Sequence, residues 1–217
     1  MDQNNSYAIV STFSTSSDTD PCVYTVCKSS SNVCKIRIEF ETMVLASPFS
    51  LTSTSALADG GKTGKCLTDT LQVISPGYQD SPIICGYNTG QHMFIPASSQ
   101  CNKIHINIDT GTTTTRQWQI KTTQFTCESE KSPVNSCLQY HTASTGSFAS
   151  FNWDTSASTV ATTQTHLTNQ YYDVCIRRAR DSCSICYTPK IISAISATGS
   201  SYGLSASSDG PAAKSTA

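Results

Sequence analysis

Eleven cysteines, an odd number, are spread through this chain and constrain its fold more than any other feature. Cytosolic proteins rarely keep so many thiols without metal-ligand spacing, so the count points to an oxidising, extracellular setting in which disulfides hold the fold. An odd count leaves at least one cysteine whose partner is missing or lies on another chain. Only 13% of residues are charged and the net charge is −1. That gives no basic face for phosphates and argues against nucleic-acid binding. No apolar run reaches the ~20 residues of a membrane-spanning helix. The polar opening, residues 1–17, lacks the charged-then-apolar pattern of a secretory signal. A disulfide-rich chain without that signal reads as a fragment of a secreted protein, with Met1 an internal methionine or an added start.

Apolar residues recur with period two almost throughout. From Cys34 to Glu41, Ile36, Ile38 and Phe40 share one face while Lys35, Arg37, Glu39 and Glu41 share the other, the pattern of a half-buried antiparallel strand. After Phe40 the apolar positions shift to Met43 and Leu45, which predicts a bulge or a strand end. Similar strands are expected at Thr70–Ile74, His92–Pro96, Asn102–Asp109 and Arg116–Cys127, with the last two joined as a hairpin through Asp109-Thr110-Gly111 and four threonines. The Pro-, Ser- and Gly-rich stretch Ala46–Lys65 reads as one long surface loop, and Glu128–Ser136, with Pro133, as a linker. Strand-like segments resume at Ser147–Trp153, Tyr171–Arg178 and Ser184–Ile192, before a small, polar and flexible tail at 198–217. Ser and Thr make up nearly a third of the chain, which suits strands with polar outer faces. No amphipathic helix is visible, so the class is all-β, a sandwich or barrel.

Four local patterns then arrive in order. Cys22-Val23-Tyr24-Thr25-Val26 leads into Ile36-Arg37-Ile38-Glu39-Phe40, and Cys66-Leu67-Thr68-Asp69 is followed by Ile84-Cys85-Gly86. His92-Met93-Phe94-Ile95 and Arg116-Gln117-Trp118-Gln119-Ile120 complete the set. In this order they resemble a CUB domain, an antiparallel jelly-roll β-sandwich of extracellular proteins. Secreted arthropod proteins with tandem CUB-like domains are more similar still, through Asn32-Val33-Cys34, Asn88-Thr89-Gly90-Gln91-His92 and Cys183-Ser184-Ile185-Cys186-Tyr187. The resemblance places one CUB-like unit at 5–127, the linker at 128–136 and part of a second unit at 137–197, carried by Gly146–Asn152 and Tyr172–Ile176. An internal echo agrees: Cys22 to Cys34 and Cys175 to Cys186 are steps of similar length, each ending after a β-branched residue.

The resemblance implies disulfides Cys66–Cys85 and Cys137–Cys175, and it gives Cys22 a partner upstream of Met1. Of the rest, Cys27 and Cys34 are close enough to close a hairpin, Cys101 reaches Cys127 across neighbouring strands, and Cys183 and Cys186 are left to each other. Such closures contribute ~3–4 kcal/mol for the longer loops. A redox role for Cys183-Ser184-Ile185-Cys186 lacks the strand-to-helix setting that lowers a thiol pKa, and zinc lacks a second pair at ligand spacing.

Many CUB domains bind calcium through a glutamate and two aspartates. Asp69 stands at the matching position and Asp109 in the loop before the last strand, which makes them the candidate metal ligands. The family's glutamate position holds Ala46. Two carboxylates rarely suffice against hydrated calcium, so no cofactor is expected, with Asp69 bonding a turn and Asp109 forming an Asx turn. Gly61-Lys62-Thr63 lacks the earlier glycine of a phosphate loop, and His92, His105, His141 and His166 accompany no nucleophile motif. The expectation is a secreted, non-catalytic binding module whose sandwich-end loops or sheet face meet a protein or carbohydrate, by analogy of fold. The alternative is a structural role in an extracellular assembly, with homo-association through unpaired strand edges.

Overall fold

A computed structural model describes residues 4–13 by their backbone, together with residues 21–50, 62–109, 114–134, 136–153 and 165–188. Nine strands are described and no α-helix: β1 (Asn4–Phe13), β2 (Cys22–Val26), β3 (Val33–Val44), β4 (Thr70–Ile74), β5 (His92–Pro96), β6 (Asn102–Asn107), β7 (Arg116–Thr126), β8 (Cys137–His141) and β9 (Asp173–Ile176). Two antiparallel sheets, ordered β1-β7-β3-β5 and β2-β6-β4, form the sandwich, and β8 and β9 pair separately. The all-β sandwich expected from the alternation is present.

The core lies between the two sheets because each supplies one apolar face. Ile36, Ile38 and Phe40 of β3 and Trp118 and Ile120 of β7 meet Leu71 and Val73 of β4 and Ile104 and Ile106 of β6, all fully buried. Trp118 Nε1 donates to Tyr24 Oη at 3.0 Å, which places a polar link across the core from one sheet to the other. The phase shift after Phe40 is a bulge: the β3–β7 register slips between Phe40 and Thr42, and Met43 and Leu45 turn inward again.

Several expectations are corrected. Asn102–Asp109 and Arg116–Cys127 do not form a hairpin, because β6 and β7 belong to different sheets. Period two identifies a strand and its inner face, but not its neighbour. Residues 147–153 form turns and coil rather than a strand, as do residues 184–188, while the rest of the expected Ser184–Ile192 strand lies outside the described residues. The 51–61 part of the long loop, residues 110–113 and the tail also lie outside them. β8 and β9 pair in parallel, against the antiparallel expectation.

The polar face of β3 is covered at its Lys35 end and open at its other end, where Glu41 is exposed. Lys35 is 3% exposed, and Phe94 of β5 and Phe125 of β7 are buried beside it on the same outer side. Tyr140 of β8 meets Phe94 edge-on, with centroids 5.9 Å apart, so the segment after residue 136 covers this part of the sheet. That segment also reaches the core, where Phe151 is 2% exposed and packs against Tyr172.

Phe151 is followed by a polar clasp. Asn152 N–H donates to Asn88 Oδ1 at 2.8 Å, Asn152 Oδ1 accepts from Tyr87 N–H at 3.1 Å, and Asn152 Nδ2 donates to the Thr165 carbonyl at 2.9 Å. Gly86, at φ +76, makes room for this clasp, since a Cβ there would collide with Asn152 Oδ1.

Candidate functional site

The ladders decide the disulfides. Val26 pairs with Asn102 in β2–β6, so Cys27 and Cys101 meet at the strand ends, bonded with Cα atoms 4.2 Å apart. Val33 pairs with Thr126 in β3–β7, and Cys34 bonds Cys127 at a Cα distance of 4.8 Å. This corrects the expected Cys27–Cys34 and Cys101–Cys127 pairs, because β2 and β3 lie in opposite sheets and cannot close a hairpin. Cys66 bonds Cys85 and Cys137 bonds Cys175, with Cα separations of 5.8 and 5.6 Å. Cys183 and Cys186 are exposed thiols and are not bonded to each other, which corrects that pairing. Their segment has no ladder to bring the two sulfurs together. Cys22, on β2, packs against the core outside the four disulfides.

Asp69 immediately precedes β4 and is fully buried. Its Oδ2 accepts from Arg116 Nε at 2.7 Å and from Ala46 N–H at 2.8 Å. Its Oδ1 accepts from Arg116 Nη2 at 2.9 Å and from Asp109 N–H at 3.0 Å. Arg116 Nη2 donates further to the Asp109 carbonyl at 2.7 Å. The bidentate fork satisfies both oxygens, while two backbone amides complete them. Asp109 joins this knot through its main chain. A guanidinium therefore occupies the cation position beside Asp69, and Ala46 contributes an amide where the resemblance places a carboxylate. Among the described residues, no group of three or more His, Cys, Asp or Glu is placed to hold a metal ion.

The sequence did not reveal a second site. β5 and β8 bring together His92 and His141, far apart in the chain, with ring centroids 5.1 Å apart. His92 Nε2 lies 3.0 Å from Tyr140 N and 3.1 Å from Tyr140 O, so it accepts or donates according to its tautomer. Burial pushes His92 down to about 3, helped by the charge of Arg37 and the neighbouring His141, against the opposing hydrogen bond to Tyr140. His141 is also lowered, by burial and then by Arg37. Its Nε2 is shut off from solvent and has no hydrogen-bond partner. Both imidazoles are held neutral.

A hollow of about 90 Å³ opens at this pair, lined by Gln91, His92, Gln139, His141, Ser147 and Phe148 among others. Phe148 is 48% exposed and meets the exposed Tyr187 ring edge-to-face at 5.9 Å. Gln139 Nε2 donates to Gln91 Oε1 at 3.3 Å, and Gln91 Nε2 donates to the Ser150 carbonyl at 3.0 Å. These bonds fix the floor. His105 stays on the outer face of β6 and His166 stacks on Trp153, so the other two histidines stand apart. Phe94 lies two residues after His92 and Phe148 seven after His141, and such spacing does not reveal which strands lie together.

A family model described as Animal CUB domain matches residues 134–217. The matched span begins just before β8 and includes β9, His141, Phe148 and the exposed Cys183–Cys186 segment. A comparison with curated proteins gives no match.

Proposed function

We propose that the chain, whose residues 134–217 match the Animal CUB domain model, is a secreted, non-catalytic recognition module for an extracellular protein or carbohydrate. The observation that carries this reading is the exposed aromatic pair Phe148 and Tyr187, whose rings meet at 5.9 Å. Val134, Phe148, Tyr171, Ile185 and Tyr187 are all exposed large hydrophobics of the segment laid over the sandwich. Three disulfides staple the sandwich and a fourth joins β8 to β9, which gives this segment a rigid support and limits the ordering entropy lost on contact. Burial lowers the pKa of both paired imidazoles, which disfavours their acting as acids near neutral pH.

The test is retention of the full chain on a surface coated with extracellular glycoproteins. Retention is expected to fall about tenfold when Phe148→Ser and Tyr187→Ser are combined, with unchanged thermal midpoint. Equal retention of the variant would remove this surface from the reading.

The exposed thiols favour a second reading, covalent self-association in an extracellular assembly. It requires a dimer on non-reducing electrophoresis that dissociates on reduction and is lost in Cys183→Ser with Cys186→Ser. A monomer in sedimentation at all concentrations contradicts it.

A further inference from the structure

We propose that the Arg180–Asp181 peptide bond is a processing site for an arginine-specific serine endoprotease, which cuts there and frees the chain beyond Arg180 from the sandwich. Three of the chain's five arginines, Arg177, Arg178 and Arg180, fall within four residues, and all three are exposed. The other two are held in place. Arg116 is fully buried on Asp69, and Arg37 is half-buried and paired with Glu39. An enzyme whose specificity pocket ends in a carboxylate reads a guanidinium as a bidentate partner, and this segment is where the chain offers one.

The end of the β8–β9 ladder selects the bond. Cys175 is held by its disulfide, Ile176 ends β9, and Arg177 N–H donates to the His141 carbonyl at 2.8 Å. A protease takes several residues on each side of the cut in extended form, so cutting after Arg177 or Arg178 requires β9 to peel from β8. Beyond Arg177 that hold ends. Among the described residues, 178–188 contain one backbone hydrogen bond, from Ser182 N–H to the Ala179 carbonyl at 3.3 Å, which closes a turn with Asp181 at φ +61. Opening this turn breaks one long bond and places Arg180 before the cut, with Arg177 three residues upstream for a second acidic subsite.

The reaction is hydrolysis: water adds across the amide, Arg180 takes the new carboxylate and Asp181 the new amino group. None of the four disulfides crosses the cut, because the last bonded cysteine is Cys175. The freed piece carries the exposed thiols of Cys183 and Cys186 and takes Tyr187 away from Phe148. One cut thus removes both thiols and half of the aromatic pair. A sulfated polymer is the competing partner for three arginines, but Glu130 and Asp181 line the same hollow of about 540 Å³ and break up its positive field.

The experiment is digestion of the folded full chain, without reductant, by a recombinant subtilisin-like convertase of the secretory pathway, followed by mass spectrometry. The expected result is a single cut that leaves Arg180 as a C-terminus and releases a piece beginning at Asp181. Arg180→Gln should abolish it, and Arg177→Gln should slow it about tenfold, while Arg178→Gln slows it by less than about threefold. All three positions are exposed, so these variants spare the fold. An intact chain, a cut at another bond, or parent-like cutting of Arg177→Gln overturns the assignment. So does an uncut chain whose retention on immobilised heparin is lost when all three arginines become glutamine, which gives the segment to a polyanion instead.

Discussion

Asp69 and Arg116 are both fully buried, and each is the other's main compensation for leaving water. Removing one partner strands a charge, so Arg116→Met is expected to cost roughly 3–5 kcal/mol, read from the urea midpoint. Adding Asp69→Leu to it should recover much of that loss, because a matched apolar pair removes the uncompensated carboxylate. Since the guanidinium already fills the cation position, calcium and chelator should leave the thermal midpoint unchanged; a rise of several degrees with calcium would contradict this account. His92 gives a different signature. Its folded pKa, about 3, lies below the unfolded value of 6.5, so the unfolded chain binds more protons between them. Stability is therefore full above about pH 6.5 and falls as pH drops toward 3, by a few kcal/mol, with His141 acting in the same direction. Denaturant melts of His92→Gln across this range should show a flatter profile than the parent chain.

Strands were the most legible elements. Thr70–Ile74 and His92–Pro96 are found at the expected residues, and the bulge after Phe40 follows from its phase shift. Partners were less legible, because alternation specifies a face while register and order depend on contacts distant in sequence. That is why the β6–β7 hairpin and the Cys27–Cys34 and Cys101–Cys127 pairs differ from expectation, and why the mixed polar pattern of β1 does not mark it as a strand. Nor does alternation reveal that Lys35 is covered, since its ladder neighbours Pro96 and Phe125 lie far along the chain. The clasp at Phe151 and Asn152 offers a direct test of that covering segment. Phe151→Ala should cost about 3–5 kcal/mol through the lost burial and the cavity left behind. Gly86→Ala, which combines positive φ with a collision on Asn152, should cost at least 1–2 kcal/mol, about the φ penalty alone. Both are read by chemical denaturation.

Across the whole molecule, disulfides and a docked C-terminal segment join to make one support for an exposed aromatic corner. Peptide mapping without reduction should recover Cys27–Cys101, Cys34–Cys127, Cys66–Cys85 and Cys137–Cys175. The loops they close correspond to roughly 3–4.7 kcal/mol each in the chain-entropy model, which fits a rigid extracellular scaffold. No helix among the described residues is long and apolar enough to cross a membrane. The central claim is that β8 lies on the outer face of β5 and thereby helps build the recognition surface. A NOESY spectrum of the full chain tests it most directly. Cross-peaks are expected between the rings of Phe94 and Tyr140, and between those of His92 and His141, whose centroids lie 5.9 and 5.1 Å apart. Intact sandwich cross-peaks between β3 and β7 with none between β5 and β8 would contradict it.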